Sequence, residues 1–211
     1  MKILIAIPCM DQVPALFAQS LATLQKSGDC VIAMQMGSLI YASRNELGKT
    51  AIREEADYVL WLDSDMQFDS DILIRMLKTM QEKDLDILTG LYYRRTMPYT
   101  PVLFDKLEVR PSGACTWSEF EKIPEKGLFT VGGCGFGCVL MDVSVLMAVQ
   151  QEYNTMFSPL GNTGEDLSFC WRARQRGYEI WCDPEIEVGH VGYAVVNGSY
   201  YRAFKEAENE G

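Results

Sequence analysis

The stretch ADYVLWLDSDM, residues 56–66, carries the clearest structural signal in the chain. Residues 58–62 form a continuous apolar run, which is typical of a strand buried on both faces of a parallel sheet. The run ends in Asp63 and Asp65, two carboxylates separated by one residue. Ligands of open α/β sheets bind just beyond the carboxyl ends of the strands. We therefore expect a central strand with two acids at its ligand-binding end.

Two acids at a strand end suit a hard divalent cation, because Mg²⁺ and Mn²⁺ prefer oxygen ligands. Such an ion could hold a diphosphate and stabilise it as a leaving group. The same acids could instead cap a turn, where Asp is common. A calcium loop of the EF-hand type is excluded, because its sixth position is Phe68 rather than Gly and its twelfth is Ile74 rather than Glu.

Strands and helices alternate through residue 90, which predicts a parallel, doubly wound α/β sheet. Arg44 falls in the first turn of the second predicted helix, where a cation opposes the helix macrodipole. It therefore either serves an anion or is a solvated surface side chain. The predicted elements are strand 3–7 ended by Pro8, a helix from Leu16 towards Gly28, strand 31–34, helix 43–55, strand 58–62, helix 69–83 capped by Asp69 or Ser70, and strand 86–89.

The second half of the chain is less regular. Residues 105–127 favour excursions or short antiparallel strands. Residues 131–141 hold four glycines within a strand pattern. We interpret them as one bulged strand lining a pocket, since no Lys-Ser/Thr pair or obvious helix follows as in a phosphate-binding loop. Residues 179–182 predict a strand that Asp183 and Pro184 turn.

Three ionisable residues near the end of the chain have two possible interpretations. Glu165 and Asp166 open a predicted helix, where acids suit the macrodipole whether or not they have a chemical role. His190, the single histidine, lies between glycines and could be structural or a ligand.

Length, net charge and cysteine content limit the classes of protein to which the chain can belong. A length of 211 residues favours one domain. A net charge of −10 argues against a nucleic-acid partner and against anionic lipid surfaces. Seven cysteines without a C-x-x-C motif, beside one histidine, predict small buried thiols in a reducing compartment, hence a cytoplasmic protein. We expect no transmembrane segment and no secretory leader.

Together and in this order, these features resemble the GT-A glycosyltransferases, specifically the family-2-like group, over residues 3 to about 192. The resemblance rests on the first strand ending in Pro8, Ala-Ser-Arg-Asn at 42–45, the Asp-x-Asp of 58–65, the glycine-rich 132–141, and Gly-Glu-Asp-Leu at 164–167 followed by Arg172 and His190.

The resemblance implies one GT-A, Rossmann-like α/β domain over residues 1–211. Its mostly parallel central sheet would be flanked by helices and joined by a small antiparallel element. A nucleotide-sugar half would cover about 1–104 and an acceptor half about 105–192, followed by a mobile tail at 193–211.

The implied activity is metal-dependent transfer of a sugar from a UDP- or GDP-sugar to the hydroxyl of a glycan, lipid-linked or protein acceptor. The implied course is inverting, by single displacement, with a retaining outcome still open. Asp65 would bind Mn²⁺ or Mg²⁺, Asp63 would help through the ribose or the metal, and His190 would be a third protein contact to the ion.

The resemblance also implies roles around this ion. Asp166 would be the general base and Glu165 would help to bind the acceptor. Gly132 and Gly133 would flank the sugar or acceptor, and a tail loop with Tyr200, Tyr201 and Arg202 would close over the diphosphate. The nucleotide would be lined by Pro8, Asp11, Gln12, Arg44, Asp63, Ser64 and Asp65.

Two alternatives accompany this interpretation. A sugar nucleotidyltransferase is disfavoured, because residues 8–12 lack the Gly-rich, basic loop that it needs after the first strand. A non-catalytic nucleotide-sugar or glycan-binding protein would have a degenerate site, whereas Asp63, Asp65, Asp166 and His190 are all present. The base is left open between uridine and guanosine, because Gln35 stands near the place where an acid is usual.

Overall fold

The apolar runs of the sequence form the strands of a seven-stranded sheet with helices on both faces. This computed structural model describes residues 1–192. In chain order its elements are β1 (Lys2–Cys9), α1 (Ala15–Thr23), β2 (Asp29–Met36), α2 (Ile40–Arg53), β3 (Tyr58–Leu62), β4 (Met66–Gln67), α3 (Ile72–Lys83), β5 (Ile87–Leu91), β6 (Leu103–Val109), β7 (Cys115–Glu119), β8 (Phe129–Val131), β9 (Gly133–Cys134), β10 (Cys138–Asp142), α4 (Val143–Tyr153), α5 (Glu165–Gln175), β11 (Ile180–Glu187) and β12 (Gly189–His190).

The large sheet has the strand order β2-β1-β3-β10-β5-β11-β8. Strands β2, β1, β3, β5 and β11 run in one direction, and β10 and β8 run against them. The predicted class, an α/β fold with a mostly parallel central sheet flanked by helices, is confirmed. The four strands predicted within residues 1–90 all run in one direction, but β10, from the second half of the chain, lies between β3 and β5 and runs against them. A run buried on both faces looks the same in either direction, so the sequence did not reveal this reversal.

Alternate residues of the central strands enter two separate cores. Trp61 faces α2, α4 and α5, together with the stacked rings of Phe157 and Phe169. Leu60 and Leu62 face the other way, towards α1 and α3. Each large side chain that is fully buried stabilises the fold by about 1.5–3 kcal/mol. The two cores therefore hold the carboxyl ends of the strands in fixed positions.

Several predicted boundaries differ from the structure. Helix α2 begins at Ile40, so Arg44 lies in its second turn rather than its first. Helix α3 begins at Ile72, and neither Asp69 nor Ser70 caps it. Strand β11 continues through Pro184 to Glu187, because a register shift against β5 lets the strand accommodate the proline.

The glycine-rich segment is three short strands rather than one bulged strand. It ends β8, forms β9 and opens β10, and Asp142 then caps a helix that the sequence analysis missed, accepting from Ser144 N at 2.8 Å. The glycines allow close packing: a Cβ on Gly135 would lie 2.1 Å from the Tyr92 hydroxyl.

Two small antiparallel sheets complete the fold. One has the order β7-β6-β9, which confirms the short antiparallel strands expected within residues 105–127. The other pairs β12 with β4. All seven cysteines are free and six are buried, as expected for small apolar side chains. None of the helices within residues 1–192 has the length and apolar character needed to cross a membrane.

Asn45 holds the segment that leads into α5. Its Oδ1 accepts from the backbone N–H groups of Met156 and Phe157, each at 3.1 Å. Its Nδ2 donates to Tyr41 O at 2.8 Å. This side chain therefore fixes the approach to the helix that carries Glu165 and Asp166.

We predict that Asn45→Ala lowers the free energy of unfolding by about 2 kcal/mol, because two backbone donors lose their acceptor. Urea unfolding at neutral pH measures the change. Asn45→Asp is the matched control, since it keeps the acceptor oxygen and should be less destabilising. Equal unfolding midpoints for the wild type and Asn45→Ala would contradict the anchoring role.

Candidate active site

A cavity of about 550 Å³ lies where the carboxyl ends of β1, β2 and β3 meet. Ten of the residues that the sequence analysis assigned to nucleotide, metal or acceptor chemistry line it. These residues are Pro8, Asp11, Gln12, Arg44, Asp63, Ser64, Asp65, Glu165, Asp166 and His190. The fold thus brings together side chains from both halves of the chain.

The first wall of the cavity is the loop after β1. Gly37 N, from the end of β2, donates to Cys9 O at 3.0 Å and fixes the two loops together. Gly37 and Ser38 line the cavity beside residues 8–12, whereas Gln35 does not. The loop after β2 therefore contributes Gly37 and Ser38 to this wall, and β2 contributes no acidic side chain to the cavity.

The β4–β12 ribbon carries His190 to the aspartates, although the two are far apart in the sequence. His190 lies opposite Met66 in this ribbon, and Val191 N donates to Asp65 O at 2.8 Å. The side chains follow, since His190 Nε2 lies 3.4 Å from Asp65 Oδ2. The backbone pairing of β4 with β12 therefore brings His190 next to Asp65. No pattern in the sequence around either residue indicates this contact.

The His190 ring is held from its other side. Nδ1 lies 2.9 Å from Tyr93 O, a geometry in which Nδ1–H donates and Nε2 faces Asp65. The hydrogen bond with Asp65 raises the pKa of His190, against the effect of burial. Burial opposes ionisation of Asp65, but the His190 hydrogen bond and the His190 and Arg95 charges outweigh it and lower the Asp65 pKa.

Asp65 and His190 fit a divalent cation as a pair of protein ligands. Metal bonds of about 2.1 Å at right angles place two neighbouring ligand atoms roughly 3 Å apart, close to the separation seen here. The Nδ1 contact to a carbonyl is the usual support of a metal-binding histidine. Within residues 1–192 no cluster of three potential ligands occurs, so phosphate oxygens and waters would supply the remaining ligands.

Arg44 is a buried link between two acids. Its NH2 lies 2.8 Å from Asp63 Oδ1, its Nε lies 3.2 Å from Glu165 Oε1, and its side chain is 3% exposed. The guanidinium also lies 5.3 Å from the centre of the Phe136 ring. Burial opposes its charge, but the neighbouring carboxylates raise its pKa. The interpretation of Arg44 as a solvated surface side chain is wrong.

Glu165 and Asp166 open α5, with Gly164 as the N-cap. Asp166 is half-buried, and its Oδ1 accepts from Leu167 N at 2.7 Å. Burial, followed by the charge of Glu165, raises the pKa of Asp166 to about 6. A carboxylate with such a pKa is well matched to accept a proton near neutral pH.

Other residues named by the resemblance lie elsewhere. Arg172 is buried and donates to Met156 O at 3.1 Å, which is a structural contact. Gly132 and Gly133 do not line the cavity; they pack against Asp105 O and Leu167 respectively. The predicted loop with Tyr200, Tyr201 and Arg202 lies outside the described residues.

The sequence analysis missed Arg95, which lines the cavity on the segment after β5. Its NH1 lies 2.5 Å from Asp65 Oδ2. The pair Arg94-Arg95 closely follows a predicted strand, so the rule that led to Asp63 and Asp65 could also have found it.

We predict that Arg44→Met destabilises the protein by about 3 kcal/mol, because it leaves Asp63 and Glu165 without their shared cation. Urea unfolding at pH 7 gives the value. Lys49→Met is the control on the same helix, since its pair with Glu46 is exposed and should contribute less than about 1 kcal/mol. A loss no larger than that of Lys49→Met would contradict the proposed link.

We predict that Asp166→Asn raises the melting temperature at pH 7.5 by about 2–4 °C. In the folded state the Asp166 pKa is raised from 3.8 to about 6, so ionisation costs stability above pH 6. As the pH falls through 6 towards 4 the wild type regains the proton, and the difference should vanish. Thermal melts across this range measure it, with exposed Asp69→Asn as the control. A difference independent of pH would contradict the raised pKa.

Comparison with known proteins is informative at the level of structure. No family model matches the sequence, and no curated protein matches it. The structure of A197 from STIV matches with a TM-score of 0.62 and 17% identity, over 93% of this chain and 97% of that chain. GalNAc-T7, crystallised with UDP, GalNAc and Mn²⁺, matches with a TM-score of 0.62 and 9% identity.

The match to GalNAc-T7 covers 91% of this chain but 44% of that chain, so this chain spans less than half of its length. Identities this low show a likeness of fold alone. The described part of the chain therefore has a GT-A-like fold, with a large, mostly parallel central sheet flanked by helices and a small antiparallel sheet.

Proposed function

We propose that the protein is a metal-dependent glycosyltransferase that moves a sugar from a nucleotide-diphosphate sugar to an acceptor hydroxyl. The observation that carries the proposal is the shared cavity, in which the Asp65–His190 pair lies on the same surface as Glu165 and Asp166. The GT-A-like fold supports it, and one protein of that fold, GalNAc-T7, was crystallised with UDP, GalNAc and Mn²⁺.

The donor occupies the part of the cavity formed by the strand ends. Residues 8–12 and Ser38 surround the nucleoside, which is uridine or guanosine. Asp65 and His190 would hold Mn²⁺ or Mg²⁺, and the ion would stabilise the negative charge of the leaving diphosphate. Asp63 keeps one oxygen on Arg44 and turns the other towards the ribose or the metal. The donor half of the domain is residues 1–104.

The acceptor enters beside α5, in the half formed by residues 105–192, and is a glycan, a lipid-linked sugar or a protein. Asp166 takes the proton from its hydroxyl as the oxygen bonds to the anomeric carbon. The bond from that carbon to the diphosphate oxygen breaks, and its electron pair leaves with the nucleoside diphosphate. This single displacement inverts the anomeric centre. Glu165, held in place by Arg44, binds the acceptor.

The raised pKa of Asp166 gives the proposed reaction a pH dependence. The base must be ionised, so the rate should rise as the pH increases through about 6. A carboxyl with an ordinary pKa would be ionised throughout this range, but it would also be a weaker base. Burial beside Glu165 therefore suits the side chain to the task.

The first test measures donor binding without an acceptor. We expect UDP or GDP with Mn²⁺, at a hundred times its dissociation constant, to stabilise the protein by about 2.7 kcal/mol in thermal unfolding. Asp65→Ala should lose this effect, whereas Asp69→Ala should keep it, because Asp69 is exposed and outside the cavity. No effect with any nucleotide and metal on the wild type would overturn the donor site.

The second part of this test separates an enzyme from a binding protein. Asp166→Asn should bind the donor like the wild type but lose about 10²- to 10⁴-fold in transfer or in donor hydrolysis. Donor binding without turnover in the wild type, across a panel of glycan acceptors, would favour a non-catalytic nucleotide-sugar-binding protein.

A further inference from the structure

Arg95 and His190 meet at one oxygen of Asp65. Arg95 NH1 lies 2.5 Å from Asp65 Oδ2, and His190 Nε2 lies 3.4 Å from the same atom. The second oxygen of the Asp65 side chain is not part of either contact. A guanidinium therefore neutralises the carboxylate that is best placed to hold a divalent ion.

A divalent cation placed between Asp65 Oδ2 and His190 Nε2 would share that oxygen with the guanidinium. Two positive groups on one oxygen repel each other strongly, because they would lie only a few ångströms apart. The metal and Arg95 therefore compete for Asp65. The competition is specific to Arg95, since Arg44 binds the other aspartate and is buried.

The side chain of Arg95 has room to leave this contact. It is 50% exposed, whereas that of Arg44 is 3% exposed. Arg95 lies on the segment 93–101, whose two ends are held together. Tyr93 and Pro101 form an antiparallel β-bridge, and Val102 N donates to Tyr92 O at 2.9 Å. Rotation of the Arg95 side chain therefore does not require the backbone of the segment to move.

The charges that line the cavity indicate which group the Arg95 guanidinium would bind after leaving Asp65. Asp63 and Glu165 are paired with Arg44 and Asp65 is paired with Arg95, while Asp11 and Asp166 keep the cavity acidic. A diphosphate adds negative charge to this surface. Among the described residues that line it, Arg95 is the one guanidinium that is not buried, and its planar fork suits phosphate oxygens.

We infer that Arg95 is a diphosphate-binding residue that occupies Asp65 in the ligand-free protein and exchanges this carboxylate for the diphosphate when the divalent cation binds. The inference rests on the proposed donor site and adds an exchange of cations to it. Such an exchange would make metal binding and nucleotide binding favour each other, because Arg95 would leave Asp65 when a metal binds there and would then be free to pair with the diphosphate.

The test uses Arg95→Gln, which removes the charge and keeps a polar side chain. Arg94→Gln is the matched control, because Arg94 is adjacent, similarly exposed, paired with Glu119 at 3.5 Å and absent from the cavity wall. Two affinities are measured on the full chain: that of Mn²⁺ alone, by the paramagnetic resonance signal of the free ion, and that of UDP and GDP with saturating Mn²⁺, by calorimetry.

We expect Arg95→Gln to bind Mn²⁺ alone about three- to ten-fold more tightly, because the competing charge is gone. We expect the same variant to bind the Mn²⁺-dependent nucleotide about ten-fold more weakly, because a charge-assisted contact to the diphosphate is lost. Arg94→Gln should stay within about two-fold of the wild type in both measurements, as surface ion pairs usually contribute little.

Unchanged Mn²⁺ affinity in Arg95→Gln would overturn the inference, since Asp65 would then not be contested. Metal-free nucleotide binding by the wild type that disappears in Arg95→Gln would also overturn it, because Arg95 would then replace the metal permanently. If no nucleotide binds to any variant while Mn²⁺ binding is tightened, the competition stands and the proposed donor site fails. The two ideas are thus separately testable.

Discussion

The buried guanidinium of Arg44 is the constraint on which the rest of the site depends. Removing a charge from water costs several kcal/mol unless it is paired, so the fold must supply carboxylates where Arg44 ends. It supplies Asp63 from the end of β3 and Glu165 from the first turn of α5, at 2.8 and 3.2 Å. One side chain therefore joins α2, the central strand and α5, and it couples the position of the central aspartates to that of the neighbouring Asp166.

Backbone contacts hold the second aspartate just as firmly. Asp65 O accepts from Val191 N, and Asp63 N donates to Gly137 O. Gly137 N in turn donates to the Tyr92 hydroxyl, and the Tyr92 ring packs edge-on against His190. The glycines at 135 and 137 are needed because the Tyr92 ring lies where side chains would otherwise stand. A segment that resembles a phosphate-binding loop thus supports the site through packing.

The sequence predicts features that depend on neighbouring residues, and it does not predict contacts between residues that are far apart in the chain. Strand β3 and its two aspartates were predicted because burial on both faces and an abrupt polar end are local features. The burial of Arg44 leaves no local signal, because its helix begins earlier than the sequence suggests and its partners lie on other elements. The direction of β10 and the pairing of β12 with β4 depend on tertiary contacts that leave no local pattern. Arg95 follows β5 and lines the cavity, so the tendency of functional side chains to follow strand ends holds for bases as well as acids.

The reversed strand β10 has a consequence for how the chain folds as it is synthesised. Strand β5 pairs with β10 and β11, and with neither β1 nor β3. Its five residues, all buried in the finished sheet, therefore have no hydrogen-bonding partner until residues 138–142 have left the ribosome. Contacts of such long sequence separation slow folding and leave an apolar strand exposed to chaperones and to aggregation. The nascent N-terminal half thus lacks the strands that flank β5 in the finished sheet.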